Sequence, residues 1–572
     1  MSNLDWFVLV GTLLFIVIYG IWKSRGSKNI EGYLLANKSM PWYVVGISIM
    51  ATQASAITFL SAPGQAYTDG MRFVQFYFGL PIAMIVLSVT FVPIFHRLKV
   101  FTAYEFLENR FDLKTRALTA FLFLIQRGLA CGLTIYAPSI ILSSILGWNI
   151  YWTNLIIGGL VVTYTVAGGT KAVSITQMQQ MAVIFIGMFL AGYMVVHLIP
   201  DNLSLSESLK VAGSMGKLNV VDFNFDLKNQ YNIWSGLIGG FFLALAYFGT
   251  DQSQVGRYLS GKSVGQSRLG LLFNGIIKIP MQFLILMIGA LLFVFYQFHQ
   301  PPLHFNRVEL EKISKSEYAE DISKLNIQYE DLYRKKQADL NALTAAIRNG
   351  DDQSRSLLGT SMTSKDEEMK LVRSEAMTLM KKNDPLAETN DTNYIFLSFV
   401  TRYLPAGLIG LLIAVIFSAS MSSTASELNA LASTTVVDIV KRFSKKEKSD
   451  KEYLGTSRWV TILWGAYAIM VAMFANQLGS LIEAVNKLGS LFYGTILGIF
   501  VVAFYLKKIK GGKVFFAALT AEAFVMFIFW LDLTAFLWLN LIGCILVVLF
   551  AWIFHLTGPN LNNHKRITKS TK

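Results

Sequence analysis

Long apolar stretches constrain the fold of this chain more than any other feature. A helix needs roughly 20 apolar residues to cross the hydrocarbon core of a bilayer. Thirteen stretches of about that length follow one another, near 5–22, 43–62, 75–96, 116–146, 149–168, 174–199, 233–251, 267–298, 396–440, 458–475, 480–506, 513–531 and 534–556. They predict an all-α membrane protein with about 13 transmembrane helices. A β-barrel would show short alternating strands instead, and the sequence has none. Of the 572 residues, 53% are hydrophobic and 15% charged, and the mean hydropathy is +0.48. A soluble chain of this size would carry more charge.

The formal net charge of +14 could suggest nucleic acid, but its distribution argues against that. The basic residues sit in short loops: Lys23, Arg25, Lys28 and Lys38; Arg97, Lys99, Arg110, Lys114 and Arg116; Lys441, Arg442, Lys445, Lys446, Lys448 and Lys451; Lys507, Lys508, Lys510 and Lys513; and Lys565, Arg566, Lys569 and Lys572. With an odd number of spans, all fall on one side when the N-terminus is outside and the C-terminus cytoplasmic, as the positive-inside rule requires. A multi-pass protein of the plasma (inner) membrane is expected, acting as a monomer in the lipid bilayer. Asp5, rather than a basic segment, precedes the first stretch, and no small-residue cleavage site follows it, so it reads as a retained helix. Cys131 and Cys544 both lie in apolar stretches, and neither they nor the six histidines show metal-ligand spacing.

Residues 301–392 break the pattern. They are hydrophilic, with helix-prone runs at 309–324 and 331–348, and form an external insert expected to be a solvated helical hairpin. Polar and small residues also interrupt the second stretch (Thr52, Gln53, Ser55, Thr58, then Pro63 and Gly64) and the seventh (Gly239-Gly240 through Tyr247, Gly249, Thr250, Asp251 and Gln252). Broken helices are tolerated in a membrane only beside a cavity or within protein. The two lie five spans apart, as two inverted repeats would place them, with solute and ion bound at the interruptions. The chain then divides into a first helix and cytoplasmic loop (1–42), a first repeat (43–199), an external loop (200–232), a second repeat (233–506) holding the insert, two C-terminal helices (507–556) and a cytoplasmic tail (557–572).

Several motifs resemble the sodium/solute symporter family, whose members include sugar, proline, iodide, monocarboxylate and sialic acid transporters. They are Tyr136-Ala-Pro-Ser139, Ala167-Gly-Gly-Thr-Lys-Ala-Val173, Asp251 to Ser263 and Met421 to Ile439. The region from Gln65 to Val173 is most similar to the monocarboxylate, vitamin and iodide branch. The resemblance runs through 1–510 apart from the insert. It implies a LeuT-like 5+5 inverted repeat and a secondary active transporter that couples a small polar solute, a carboxylate or sugar acid, to sodium.

Sodium is a hard cation and prefers oxygen ligands, as calcium and magnesium do. Ser422 and Ser423 are adjacent hydroxyls. The resemblance implies a sodium site made by these two with the carbonyls of Ala419, Ala51 and Ala54; on residue type alone, a serine-rich helix serves close packing equally well. Relatives with two sodium ions often carry an acid in the sixth stretch, where this chain has Thr176-Gln177, so one sodium per cycle is expected. Charges inside the membrane tend to mark function or pairing. Arg127 could hold a carboxylate in bidentate fashion, or pair with Asp251 or another internal acid. Lys278 matches a sugar-contacting lysine of related transporters, and an ion pair is its alternative. Asp251 could accept solute hydroxyls, neutralise either cation, or titrate in a proton-coupled cycle. Gln53, Thr58, Gln75, Tyr77 and Asn486 fall near the family's solute contacts. Thr58 and Tyr77 replace a glutamine and a glutamate of the sugar transporters, which argues against a plain hexose. Without a Walker loop, metal-ligand cluster or nucleophile elbow, no enzyme is expected.

Overall fold

The apolar stretches all fold as helices, and no strand forms among the described residues. The structure, a computed structural model, describes residues 1–24, 35–98, 100–200, 203–444 and 449–557. Arg25, Lys28, Lys99, Lys445, Lys446, Lys448 and the basic residues of the tail lie outside them.

In chain order the helices are α1 (Asn3–Ser24), α2 (Trp42–Gln53), α3 (Ala56–Asp69), α4 (Leu80–Val89), α5 (Phe91–Leu98), α6 (Glu105–Arg110), α7 (Leu113–Leu146), α8 (Ile150–His197) and α9 (Leu205–Ser214). There follow α10 (Gly240–Thr250), α11 (Gln252–Leu259), α12 (Val264–Phe298), α13 (Arg307–Ile313), α14 (Ala319–Asn349), α15 (Asp352–Asn383) and α16 (Ile395–Tyr403). The last five are α17 (Leu408–Thr434), α18 (Asp450–Ala472), α19 (Leu481–Tyr505), α20 (Gly511–Trp530) and α21 (Phe536–Thr557). Among the described residues, eight helical segments are long and apolar enough to cross a membrane, and three more apolar helices are shorter.

Three stretches differ from expectation. The fifth and sixth form one hydrogen-bonded helix, α8, with no loop between them. It is not straight. The Tyr164 hydroxyl lies 2.6 Å from that of Thr176, 12 residues on, where a straight helix would separate them by about 18 Å. The helix therefore bends sharply between these residues. The ninth stretch divides at Pro405 and Gly407: α16 ends at Tyr403, and Gly407, at φ +89, precedes α17. Asp5 of α1 accepts from the Gly407 and Gly410 amides at 2.6 and 3.2 Å, which satisfies donors at this otherwise uncapped helix start.

The hydrophilic insert is an antiparallel hairpin of α14 and α15. Gly350, at φ +69, makes the turn. Tyr329, Tyr333, Met369, Val372 and Met380 give the hairpin a small core of its own. It rests on α9 through Arg348 and Glu207, 3.1 Å apart, and at Gly359, where a Cβ would come 2.5 Å from the Ser214 carbonyl.

The bundle end opposite the hairpin is held by basic residues. Arg110 donates to the Ala503 and Leu506 carbonyls at 3.1 and 3.0 Å. Arg116 bonds Glu108 at 2.7 Å and Asp438 at 2.6 Å, and Arg442 also reaches Glu108.

Candidate functional site

Both interrupted helices lie where the sequence places them. Between α2 and α3, Ala54 (φ −82, ψ 72) and Ser55 (φ −76, ψ 172) leave helical geometry. The Ser55 amide then donates to the Gln53 carbonyl at 3.0 Å, and the Thr58 amide to that of Ser55 at 2.9 Å. In an unbroken helix these amides would serve Ala51 and Ala54, so the break frees both carbonyls. The second interruption is at Asp251 (φ −78, ψ 120), between α10 and α11. Its carboxylate caps α11, accepting from the Ser253 amide at 2.8 Å.

The freed Ala51 carbonyl faces α17. Ser422 Oγ donates to it at 3.3 Å. One residue on, Ser423 Oγ donates to the Ala419 and Ser420 carbonyls at 3.1 and 3.2 Å. Ala51, Ala54, Ala419, Ser422 and Ser423 are all buried. They supply two hydroxyls and up to three carbonyls with no charged ligand, a donor set suited to a hard monovalent cation. Beside them, Gln177 of α8 knits three helices. Its amide donates to Ser426 Oγ at 3.0 Å, Thr52 Oγ1 at 3.2 Å and the Ser422 carbonyl at 3.5 Å, and its oxygen accepts from Ser48 at 2.5 Å.

A cavity of about 110 Å³ adjoins both breaks. Gln53, Thr58, Tyr77, Arg127 and Asn486 line it together. Arg127 is fully buried and already paired. It bonds Asp251 and Tyr493, and reaches Glu427 at 3.0 Å. Glu427 also accepts from Thr134 at 3.0 Å, and Asp251 from Tyr493 at 2.7 Å. Arg127 Nε has no partner, so one donor of its fork stays available. The trio sets one guanidinium against two carboxyl groups, so its net charge is negative whenever both are ionised.

Three expected solute residues do not line the cavity. Asp251 reaches it only through Arg127 and Tyr493. Gln75 faces the loop before α10: its amide donates to the Tyr231 carbonyl at 2.9 Å, and its oxygen accepts from the Asp222 amide at 3.0 Å. The 3₁₀ stretch Gly70–Tyr77, with about 3.0 residues per turn, turns Gln75 outward while Tyr77 faces in. Lys278 is fully buried behind Tyr77, its Nζ 5.6 Å from that ring and without a hydrogen-bond partner. It forms no ion pair with Asp251 among the described residues.

Glu427, Tyr493, Tyr247 and Thr134 also line the cavity, and the sequence reading singled out none of them as solute contacts. Glu427 was discoverable by the rule that found Arg127, being a charge inside an apolar stretch. Among the described residues no cluster of His, Cys, Asp or Glu could hold a metal ion.

An all-helical bundle with two interrupted helices, an oxygen-lined cation niche and an adjoining charged pocket defines a cation-coupled secondary transporter. The chain belongs to the sodium:solute symporter family, whose profile matches residues 33–313 and 376–520; most of the hairpin lies between these blocks. It is similar to sodium-coupled monocarboxylate transporter 1 of Xenopus laevis (26% identical, covering 86% of this chain and 67% of the relative). It is also similar to the sodium/iodide cotransporter of Homo sapiens (24%; 88% and 66%) and the sodium/glucose cotransporter of Vibrio parahaemolyticus (25%; 93% and 86%). A Na+-coupled sialic acid symporter, solved substrate-bound and outward-open, shares the fold, with TM-score 0.74 over 97% of this chain and 98% of that one at 22% identity. The protein is thus a multi-pass membrane transporter of LeuT-like fold that couples small solutes to sodium.

Proposed function

We propose that this chain takes up a small organic anion, a carboxylate or sugar acid, with one sodium ion per cycle. The observation that carries the sodium site is the meeting of Ser422 Oγ with the freed Ala51 carbonyl, 3.3 Å apart. Sodium there lies about one helical turn from Glu427 on α17. At roughly 6 Å and an effective dielectric of about 20, the attraction is on the order of 3 kcal/mol. Sodium thus offsets the negative charge of the fully ionised Arg127 trio, and a solute anion then meets a pocket that no longer repels it. Arg127 Nε, left without an acceptor, supplies the donor for a solute oxygen. Gln53, Thr58, Tyr77 and Asn486 line the remaining contacts. Gln177 holds its neighbours with a neutral amide, which supports a single sodium. The basic residues gathered opposite the hairpin support a cytoplasmic C-terminus and an external hairpin in the plasma membrane.

A neutral polyhydroxylated solute is the second reading, favoured by the pairing of Arg127 with both Asp251 and Glu427. Current separates the two. One sodium with one monoanion moves no net charge, whereas one sodium with a neutral sugar carries one, coupled to about 2.3 kcal/mol per 100 mV. The test is uptake of short carboxylates, sugar acids, vitamins and hexoses by proteoliposomes, with and without sodium and under an imposed potential. Sodium-dependent, potential-independent uptake of an acid is expected. Uptake of neutral hexoses alone would overturn the anion reading.

A further inference from the structure

A second cavity, of about 830 Å³, lies between the hairpin and the bundle. Its size falls in the range of small-ligand sites, roughly 300–1,000 Å³. Both bodies build it. Tyr329 and Tyr333 come from α14, Tyr67 from α3 and Phe293 from α12, so aromatic rings stand on opposing walls. Such rings offer apolar faces to a sugar-like ring and hydroxyls to its substituents.

The charges in this cavity are mostly settled. Lys336 pairs with Asp366, Lys370 with Glu367 at 2.6 Å and Arg373 with Asp391 at 2.5 Å. Arg72 reaches Asp222 at 3.9 Å. Asp69 accepts from the Gln65 amide. Lys217 is different. Among the described residues no carboxylate approaches its ammonium within the 4.0 Å of an ion pair; it donates to the Thr68 carbonyl and sits 4.6 Å from the centre of the Phe293 ring. Burial pushes it down to about 8, so it remains mostly charged at neutral pH. Gln297, 3% exposed, also lines the cavity and keeps its Oε1 without a partner. A cation with no carboxylate within ion-pair distance, although Asp69, Asp366 and Glu367 share the cavity, an unused acceptor and facing aromatic rings together describe a receptor for an anion that also carries hydroxyls.

We propose that this cavity is a second, external solute site, which holds a small hydroxylated organic anion with its carboxylate on Lys217 and its ring among the tyrosines. The site is separate from the sodium niche, so it binds without sodium. That it feeds the inner pocket rests on the transport reading; that it binds does not. The hairpin, which lies mostly outside the family's matched blocks, supplies one wall.

The test is equilibrium binding of labelled D-glucuronate and D-glucose to the full-length protein in nanodiscs, with sodium replaced by choline. Wild type should bind glucuronate and not glucose. K217M should weaken glucuronate binding roughly tenfold or more, as loss of a charge-assisted bond does; K217R should retain it. Replacing residues 314–375 with a short Gly-Ser linker should abolish it. S422A/S423A, which strikes the sodium niche, should leave it intact. No sodium-free glucuronate binding in wild type, equal binding of glucose, or unchanged binding in K217M would each overturn the proposal. Sodium-free binding with no sodium-dependent uptake of any solute would sink the transport reading and leave this site standing.

Discussion

Ser422 Oγ donates to the carbonyl of Ala51 across 371 residues of chain, at 3.3 Å. The bond joins α17 to a helix whose own ladder has stopped, and it places a hydroxyl where a carbonyl lacks its usual amide. A cation inserted there displaces one weak hydrogen bond and gains several oxygen ligands. S422A/S423A removes both hydroxyls and leaves the carbonyls. Sodium-dependent uptake should fall by more than about tenfold, a cost of at least about 1.4 kcal/mol, with little change in melting temperature without sodium. The check is initial-rate uptake against sodium concentration. Unaltered sodium dependence would remove the niche from the mechanism.

Arg127 carries a different load. It is buried against Asp251 and Glu427, so removing it strands two carboxylates. R127M should destabilise the protein by about 3–5 kcal/mol, the usual result of breaking a buried ion pair from one side. Adding E427Q should recover part of that loss, since only Asp251 then stays unpaired. Thermal unfolding of both variants, reconstituted alike, gives the comparison. A single variant as stable as wild type would show that the trio is open to water.

Much of this arrangement was legible in the sequence. The polar runs at 52–58 and 249–252 marked both helix breaks, with close helix packing by small residues as the alternative reading. Asp251 could be named as a partner for Arg127 because both are charges in apolar surroundings. Glu427 obeyed the same rule but sat in a run read for its hydroxyls. Gln75 was unreadable for another reason. Its direction is set by 3₁₀ geometry and by partners at Asp222 and Tyr231, 147 and 156 residues away, and no local pattern encodes either. In α8 the sequence did show a break, between the stretches at 149–168 and 174–199; what it did not show is that the chain bends there, bringing Tyr164 to Thr176, without leaving the helix.

Glu388 gives the hairpin end a pH dependence. It is buried in the segment after α15, where it accepts from Tyr394 at 2.6 Å and Tyr136 at 2.9 Å. Burial is the main cause that pushes its carboxyl from 4.5 up to about 7. The folded protein therefore holds this proton more tightly than the unfolded chain, so stability is greatest below about 4.5 and falls as pH rises towards about 7. The loss is at most roughly 3 kcal/mol. E388Q should flatten that slope, as read from protease resistance of the 384–392 segment between pH 4.5 and 8. An equally steep slope in the variant would assign the effect to other groups.

Gln177 carries the proposal of a single sodium. Its amide nitrogen donates to Ser426, Thr52 and the Ser422 carbonyl, filling with a neutral donor a position where oxygens from α2 and α17 converge. A cation there would face those oxygens, but the amide occupies the space and brings no charge to balance a second ion. Wild-type uptake should therefore rise with sodium at a Hill coefficient near one. In Q177D the donor is gone and a carboxylate faces Ser48, Thr52 and Ser426. That charge is costly to bury unless a cation joins it, so the variant should be less stable than wild type without sodium and regain stability as sodium is added. Its uptake should show a Hill coefficient approaching two. A wild-type coefficient near two would mean that a second ion binds without Gln177, and that the amide serves only to tie α8 to α2 and α17.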